Sequence, residues 1–270
     1  MPKKSTKAVV FDLDETLGHF TQLGLVWDAI ENAHDEDNKD APHFSDVMDA
    51  FPEYQRPGIM KILRYLVGKK HTGSCNTVMI YTNNQGPRRW ALQIQNYFEN
   101  KIGCSIFDRV VAAFKVNGER IELNRTSHDK TVNDLISCTR IPSDTQICFI
   151  DDQHHPRMEH DNVYYIYIKP YVRTIPYATI GQRLQNGPLL ERLSTEKRGL
   201  LVRSIEKLSN RYPEDDIELD EDECDVDTIV GKRILQHIQE FFKMYGNRYT
   251  RRKRESNRRR SRTRKNVRSF

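Results

Sequence analysis

No uninterrupted run of about 18 apolar residues occurs anywhere in the 270, so no segment has the length a helix needs to cross a bilayer. The start, MPKKSTK, leads straight into a strand-like segment without the apolar stretch of a secretory signal. A soluble, intracellular chain is therefore the expectation. The five cysteines (Cys75, Cys104, Cys138, Cys148, Cys224) are scattered, odd in number and free of any C-x-x-C pair. That spacing suggests neither a disulfide framework nor a zinc site, and it leaves reduced thiols as the simple reading. No internal repeat is visible, and nothing in the sequence speaks to oligomeric state.

Charge is present in excess but unevenly placed. The net charge is +5, yet Arg248–Phe270 holds twelve Lys or Arg and one acid, +11 in all, which leaves −6 for everything before it. Just upstream, Glu214–Asp227 carries ten acids and no base. A mildly acidic body, an acidic run and a basic tail are three separate electrostatic objects.

Four segments are short, apolar and β-branched, as buried parallel strands are: Lys7–Asp12, Asn76–Thr82, Thr145–Asp151 and Asn162–Lys169. Between them lie helical patterns. Pro57 opens one, with Ile59, Ile62, Leu63 and Leu66 on one face; Pro87 precedes another, with Ala91, Ile94 and Phe98 in register; a third runs from about Asp129 through Val132, Leu135 and Ile136. Strands alternating with helices predict an α/β fold, a parallel sheet covered on both faces. Beyond Lys169 the strand pattern fades into helical spacing over Leu184–Leu208 and Thr228–Tyr245. Ligands of such sheets gather at the carboxyl ends of the strands. Three of the predicted strands end there in chemically capable residues: Asp12 and Asp14, Thr82 and Asn83, Asp151 and Asp152.

Phe11-Asp12-Leu13-Asp14-Glu15-Thr16-Leu17 has the form of an apolar strand followed by D-x-D-x-T. Arg56-Pro57-Gly58 then opens a helix, a strand ends in Thr82, Lys130 stands at a helix start, and Phe149-Ile150-Asp151-Asp152 closes the series. In this order the chain resembles the haloacid dehalogenase superfamily of phosphotransferases. DLDETL is especially similar to the phosphatases of the RNA polymerase II carboxy-terminal domain and their small relatives. The resemblance spans about residues 7 to 170. It implies a Rossmann-like core over 1–175 with a small insertion at 18–55; outside it, spacing and charge suggest a helical extension over 176–247 with an acidic linker at 213–227, and a disordered Arg-rich tail at 248–270.

The same resemblance assigns roles. Asp12 is the nucleophile, and a carboxylate attacking a phosphomonoester needs a divalent cation and positive partners to overcome charge repulsion. Mg²⁺ is the implied cofactor, held by Asp12, by one or both of Asp151 and Asp152, and by the backbone carbonyl of Asp14. Asp14 serves as general acid and then as base, which requires its carboxyl to titrate near neutral pH. Thr82, with Asn83 beside it, and Lys130 bind the phosphoryl oxygens; Lys115 is the alternative to Lys130. His154 and His155, adjacent and so pointing apart, read as loop or helix-cap residues.

The insertion is short and no long one follows Thr82, so an uncovered site admits a group on a macromolecule. A phosphoserine or phosphothreonine protein is the favoured substrate by resemblance. Two features differ from the carboxy-terminal-domain phosphatases: Thr82-Asn83-Asn84 stands where Thr-Ala-Ser is common, and Leu23–Asp37 reads as helix where their insertion is largely β. The tail lacks apolar periodicity and interleaved aromatics, which suits electrostatic capture of nucleic acid or acidic protein, or nuclear import. Removal of a terminal phosphate from DNA or RNA is thus a second reading, and a non-catalytic docking protein of the same fold a third.

Overall fold

The computed structural model describes residues 6–33, 42–191, 193–212, 221–244 and 267–269. Five parallel strands form its centre: β1 (Lys7–Phe11), β2 (Thr77–Tyr81), β3 (Phe107–Val111), β6 (Gln146–Asp151) and β7 (Val163–Tyr167), in the spatial order β3-β2-β1-β6-β7. A two-residue-per-strand hairpin, β4 (Lys115–Val116) and β5 (Glu119–Arg120), follows β3. The chain leaves β1 toward β2 on one side and later returns to β6 on the other. The carboxyl end of β1 is therefore a topological switch point, where loops diverge and leave a crevice.

The pleat sends alternate residues to opposite faces. Val9, Phe11, Val78, Ile80, Cys148 and Ile150 join the larger core. Ala8, Val10, Met79, Tyr81, Ile147 and Phe149 join a second one, with Val132, Leu135 and Cys138 of α5 (Val132–Thr139). On the larger side lie α1 (Thr21–Asn32), α3 (Ile59–His71), α4 (Arg88–Ile102) and α9 (Glu221–Met244), with α9 touching both α3 and β7. The architecture is thus a Rossmann-like α/β fold with helices on both faces.

The described parts of the insertion at 18–55 are largely helical, as its sequence suggests, and pack into the same core. Leu23, Val26, Trp27 and Ile30 are the buried stripe of α1, and Phe44 opens α2 (Phe44–Ala50). The Phe44 ring stands edge-on to Trp27 at 5.4 Å and to Trp90 of α4 at 5.3 Å, which ties the insertion to the main body. The C-terminal helices share that core too, through Ile180 and Leu184 of α6 (Tyr177–Asn186), Leu201 and Ile205 of α7 (Thr195–Glu206), and Ile234, Ile238 and Phe241 of α9. A four-residue helix, α8 (Leu208–Arg211), follows α7. Among the described helices none is long and apolar enough to cross a membrane.

Several elements depart from the sequence expectation. The helix expected from Asp129 begins at Val132, because Thr131 is extended and its hydroxyl caps the Asp134 amide at 2.9 Å. The helix expected at Pro57 begins two residues later, after Gly58 turns with φ 84°. Leu184–Leu208 is broken after Asn186, where Gly187-Pro188 stops α6. The edge strand β3 was hidden because its FDRVV carries exposed polar residues at its second and third positions. The acidic linker expected at 213–227 is, over 221–227, the first turns of α9, where carboxylates complement the helix dipole; 213–220 lie outside the described residues. The unstructured tail expected at 248–270 lies mostly outside them as well. Its residues 267–269 form a short strand, β8 (Val267–Ser269), parallel to β7.

The α9 backbone runs so close to the Arg56-Pro57-Gly58 turn that a Cβ on Gly231 would lie 2.1 Å from the Pro57 carbonyl oxygen. Gly231→Ala should lower stability by about 2 kcal/mol in chemical denaturation, the usual effect of overpacking against backbone. Gly68→Ala, at an exposed position of α3 with open space around its Cα, should instead stabilise by roughly 0.5–1 kcal/mol.

Candidate catalytic centre

Three loops meet at the carboxyl edge of the sheet. The first follows β1 and carries Asp12, Asp14 and Thr16; the second follows β2 and carries Thr82, Asn83 and Asn84; the third is the end of β6 with Asp151 and Asp152. Carboxylate oxygens of Asp12, Asp151 and Asp152 all lie within 4.8 Å of one another, and the three residues are buried. The segment entering α5 brings Lys130 between them, 2 % exposed, with Nζ 2.5 Å from Asp12 Oδ1 and 2.8 Å from Asp151 Oδ2. Three acids against one ammonium leave about two negative charges in a buried space. Burial of that kind is costly unless a cation or protons balance it.

The pKa directions follow from this imbalance. Burial drives the Asp12 carboxyl well above its ordinary value, partly offset by Lys130 and reinforced by the like charge of Asp151. Burial acts upward on Asp151 as well, but Lys130 and His155 outweigh it, so that carboxyl lies below its ordinary value. Burial alone would lower Lys130; Asp12 and Asp151 reverse this and hold it protonated. Asp152 is pushed up to about 6 by burial and by Asp151. Asp14 is also pushed up to about 6, mainly by burial, against the pull of a hydrogen bond from Asn84.

The expected residues therefore converge, Lys130 among them, with three changes of detail. Lys130 lies at the centre, whereas Lys115 is exposed on β4 with its ammonium over the Phe114 ring. Asp14 stands apart from the three clustered carboxylates: its Oδ2 accepts from Asn84 Nδ2 at 2.7 Å, while its Oδ1 is buried without a hydrogen-bond partner. Asn83, expected beside the phosphate, turns its Oδ1 to Arg125 at 2.7 Å. His155 does more than end a loop, since its Nε2 lies 3.4 Å from Asp151 Oδ2, while His154 pairs with Glu159 at 2.8 Å.

Two buried arginines hold the loops, Arg56 from the Arg56-Pro57-Gly58 motif and Arg125 from a segment that no motif marks. Arg125, fully buried, donates to the carbonyls of Thr82 (3.0 Å), Ala112 (2.9 Å) and His128 (3.0 Å). It thereby joins the ends of β2 and β3 to the segment that delivers Lys130. Arg56, 1 % exposed, donates from Nε to the Thr16 carbonyl at 2.7 Å and from Nη2 to the carbonyls of Glu15 and Lys169. Glu15 has φ 53°, a strained conformation for a residue with a side chain, and its carbonyl also accepts from the Tyr171 amide at 2.8 Å. Thr16 in turn donates its hydroxyl to Asp152 Oδ1 at 3.1 Å. Fixing Glu15 and Thr16 fixes the Asp12–Asp14 turn. Arg125 sits in a polar stretch, Asn124-Arg125-Thr126-Ser127, with nothing local to mark it as interior.

The donor set suits a hard divalent cation, all oxygen and net negative. Its oxygens, within 4.8 Å of one another, are close enough for such a cation to be held among them directly or through its waters. Asp151 is the acid most fully engaged by the protein: Oδ2 faces Lys130 and Oδ1 accepts from the Gln153 amide at 2.8 Å. Asp152 accepts from the Thr16 hydroxyl on Oδ1 and has no ion-pair partner among the described residues, so Asp12 and Asp152 would be the acids with most charge to offer a cation.

For Asp14 and Asp152 the folded carboxyls titrate near 6, above the ordinary 3.8. Their contribution to stability is thus complete below about pH 3.8 and lost as pH rises through about 6. Mg²⁺ titrated into the protein should raise Tm at pH 7.5, and the rise should shrink toward pH 5 as protons compete. Asp152→Asn should remove most of it, and Asp151→Asn less. No protein-family model matches the chain and no curated protein matches it, so the reading of this centre rests on its residues and their geometry.

Proposed function

We propose that the chain is a Mg²⁺-dependent phosphomonoesterase of the haloacid dehalogenase type that works through an aspartyl-phosphate on Asp12. The observation that carries this reading is the buried constellation of Asp12, Lys130, Asp151 and Asp152, with Asp14 two residues beyond Asp12 on the same turn. Held by Asp12 with Asp151 or Asp152, Mg²⁺ would supply the positive charge that lets a carboxylate approach a phosphate dianion.

The chain's own groups divide the remaining work. An Asp12 oxygen attacks phosphorus, and the bond from phosphorus to the ester oxygen breaks. Asp14 in its protonated form gives its proton to that leaving oxygen, a role that suits a carboxyl held near 6. The resulting carboxylate of Asp14 then takes a proton from water, whose oxygen attacks the phosphorus of aspartyl-phosphate. Inorganic phosphate leaves and Asp12 is restored. Lys130 offsets the charge that spreads over the phosphoryl oxygens. The Thr82 hydroxyl, which accepts from the Asn84 amide at 2.9 Å, keeps its own hydrogen to donate to one of them. Asn84 holds Asp14 aimed at the crevice.

A phosphoprotein is the substrate class the surroundings favour. Beside Thr82 and Asn84 opens a cleft of about 120 Å³ walled by Pro87, Leu92, Val110, Ala113, Val116 and Ile121. A cavity of about 150 Å³ takes a benzene, so this one has room for a single aliphatic side chain. It presents no aromatic ring for a nucleobase to stack on, as single-strand binders do. The +11 tail is the one feature that favours an oligonucleotide end instead.

With Mg²⁺ the protein should hydrolyse a generic aryl phosphate, and Asp12→Asn should reduce kcat by about a thousandfold or more. Between a phosphoserine peptide with an apolar flanking residue and a 3′- or 5′-phosphorylated oligonucleotide, the peptide should have the higher kcat/KM. An oligonucleotide preference of about tenfold, some 1.4 kcal/mol, would transfer the assignment to nucleic-acid ends. A chain ending near Gly246 should keep its turnover of aryl phosphate and lose capture of a macromolecular substrate mainly at low salt.

A further inference from the structure

We infer that α9, the helix outside the resemblance, is a working part of the catalytic centre, with Asp227 a positioning residue that holds Arg56 and, through it, the loop bearing Asp12, Asp14 and Thr16. The catalytic consequence rests on the phosphatase reading, whereas the positioning itself does not.

Arg56 is the hub of the argument. Its guanidinium lies under the turn after β1 and is committed to three carbonyls, those of Glu15, Thr16 and Lys169. The ring of Tyr171 lies 5.4 Å from it and helps to shut out water. A buried cation bonded only to neutral carbonyls needs a compensating anion. Two carboxylates bear on it from beyond ion-pair distance, those of Asp227 and Asp152. Asp152 belongs to the metal-binding cluster, and Mg²⁺ would draw on its charge. Asp227 is then the permanent partner. It is 5 % exposed, on the second turn of α9, with Oδ1 3.9 Å from Nζ of Lys169, the residue whose carbonyl accepts from Arg56 at 2.9 Å. Neither Asp227 Oδ1 nor Arg56 Nη1 has a hydrogen-bond partner, so the attraction between them is through space.

The neighbours of this group strengthen the assignment. Lys169, whose carbonyl accepts from Arg56, also pairs with Glu223 of α9 at 3.8 Å. Arg173 stands 6.0 Å from the Tyr171 ring and donates to Cys224 Sγ at 3.2 Å. The acids of the first turns of α9 therefore face the cations around the β1 and β7 loops. Farther along, Gly231 meets the Pro57 carbonyl at a distance only glycine permits. The helix is thus seated on the residues next to Arg56 in sequence and on its guanidinium in space.

Docking of α9 has its own anchors, Ile234, Ile238 and Phe241, each 1 % exposed or less. The helix therefore does not need Asp227 in order to stay folded. The β1 loop is the part that needs it, because Glu15 sits in a conformation that only its surroundings maintain.

Hydrogen exchange on the full-length protein reads this directly, since the amides of Leu17, Arg56 and Tyr171 bond to the carbonyls of Leu13, Leu17 and Glu15. In Asp227→Asn these three amides should exchange about tenfold faster, while those of Ile234 and Ile238 stay as protected as before. Asp227→Glu should restore most of the protection. On an aryl phosphate with Mg²⁺, the same Asp227→Asn change should lower kcat with KM unchanged, and Asp227→Glu should recover it. Loop exchange within about twofold of the wild type would overturn the inference, as would loosening spread evenly over α9, which would make Asp227 a mere anchor of its helix. Wild-type protein that leaves aryl phosphate intact would instead remove the phosphatase reading, and exchange would still decide the role of Asp227.

Discussion

One ammonium group between two carboxylates organises the centre of this molecule. Lys130 meets Asp12 and Asp151 at salt-bridge distances in a space nearly closed to solvent, and Asp152 adds a third acid. At such burial the attraction between unlike charges and the cost of desolvating them are both large, and neither is balanced by the lysine alone. The surplus negative charge explains why Asp12 and Asp152 hold protons more tightly than free carboxyls, and why an added cation is the natural complement. Asp151 plays a different part from its neighbour. Its charge is satisfied by the protein, and its work is to keep Lys130 in place.

A charge cluster of this kind tolerates little movement, and much of the remaining structure serves to prevent it. Arg125 gathers the ends of β2 and β3 and the approach to α5, so that Thr82 and Lys130 share one fixed frame. Arg56 does the same for the turn after β1 and the loop after β7. Both arginines act on backbone carbonyls, which loops have in excess because their peptide groups lack ladder partners. The helical insertion and the C-terminal helices bear on this frame through packing. The Trp27–Phe44–Trp90 contacts seat the insertion, and the apolar stripe of α9 seats the extension.

Much of this was readable from the residues. The strands β1, β2, β6 and β7 announced themselves by apolar runs because both faces of a central parallel strand are buried, and their polar endings marked the crevice. Asp12, Asp14, Thr82, Lys130, Asp151 and Asp152 follow from those endings and from the order of the motifs. What stayed hidden depends on contacts distant in sequence. β3 is an edge strand with a mixed pattern, so periodicity did not find it. Asn84 rather than Asn83 reaches Asp14, a choice between adjacent side chains that only the turn after β2 decides. Arg125 meets Thr82 across 43 positions, and Asp227 lies 171 positions from Arg56, so no local pattern could link them. The acidic run looked like a linker because its charge hid the first turns of a helix whose buried apolar stripe begins only beyond it, at Val230.

In the proposed reaction Asp12 takes up the phosphoryl group. Rapid acid quenching of the protein during turnover of a phosphomonoester, followed by mass spectrometry of its peptides, tests it most directly. The account predicts one acid-stable, hydroxylamine-labile phosphoryl group on Asp12, accumulating when Asp14→Asn slows its hydrolysis. A phosphoryl group on another side chain, or turnover with none on Asp12 even in that variant, would contradict it.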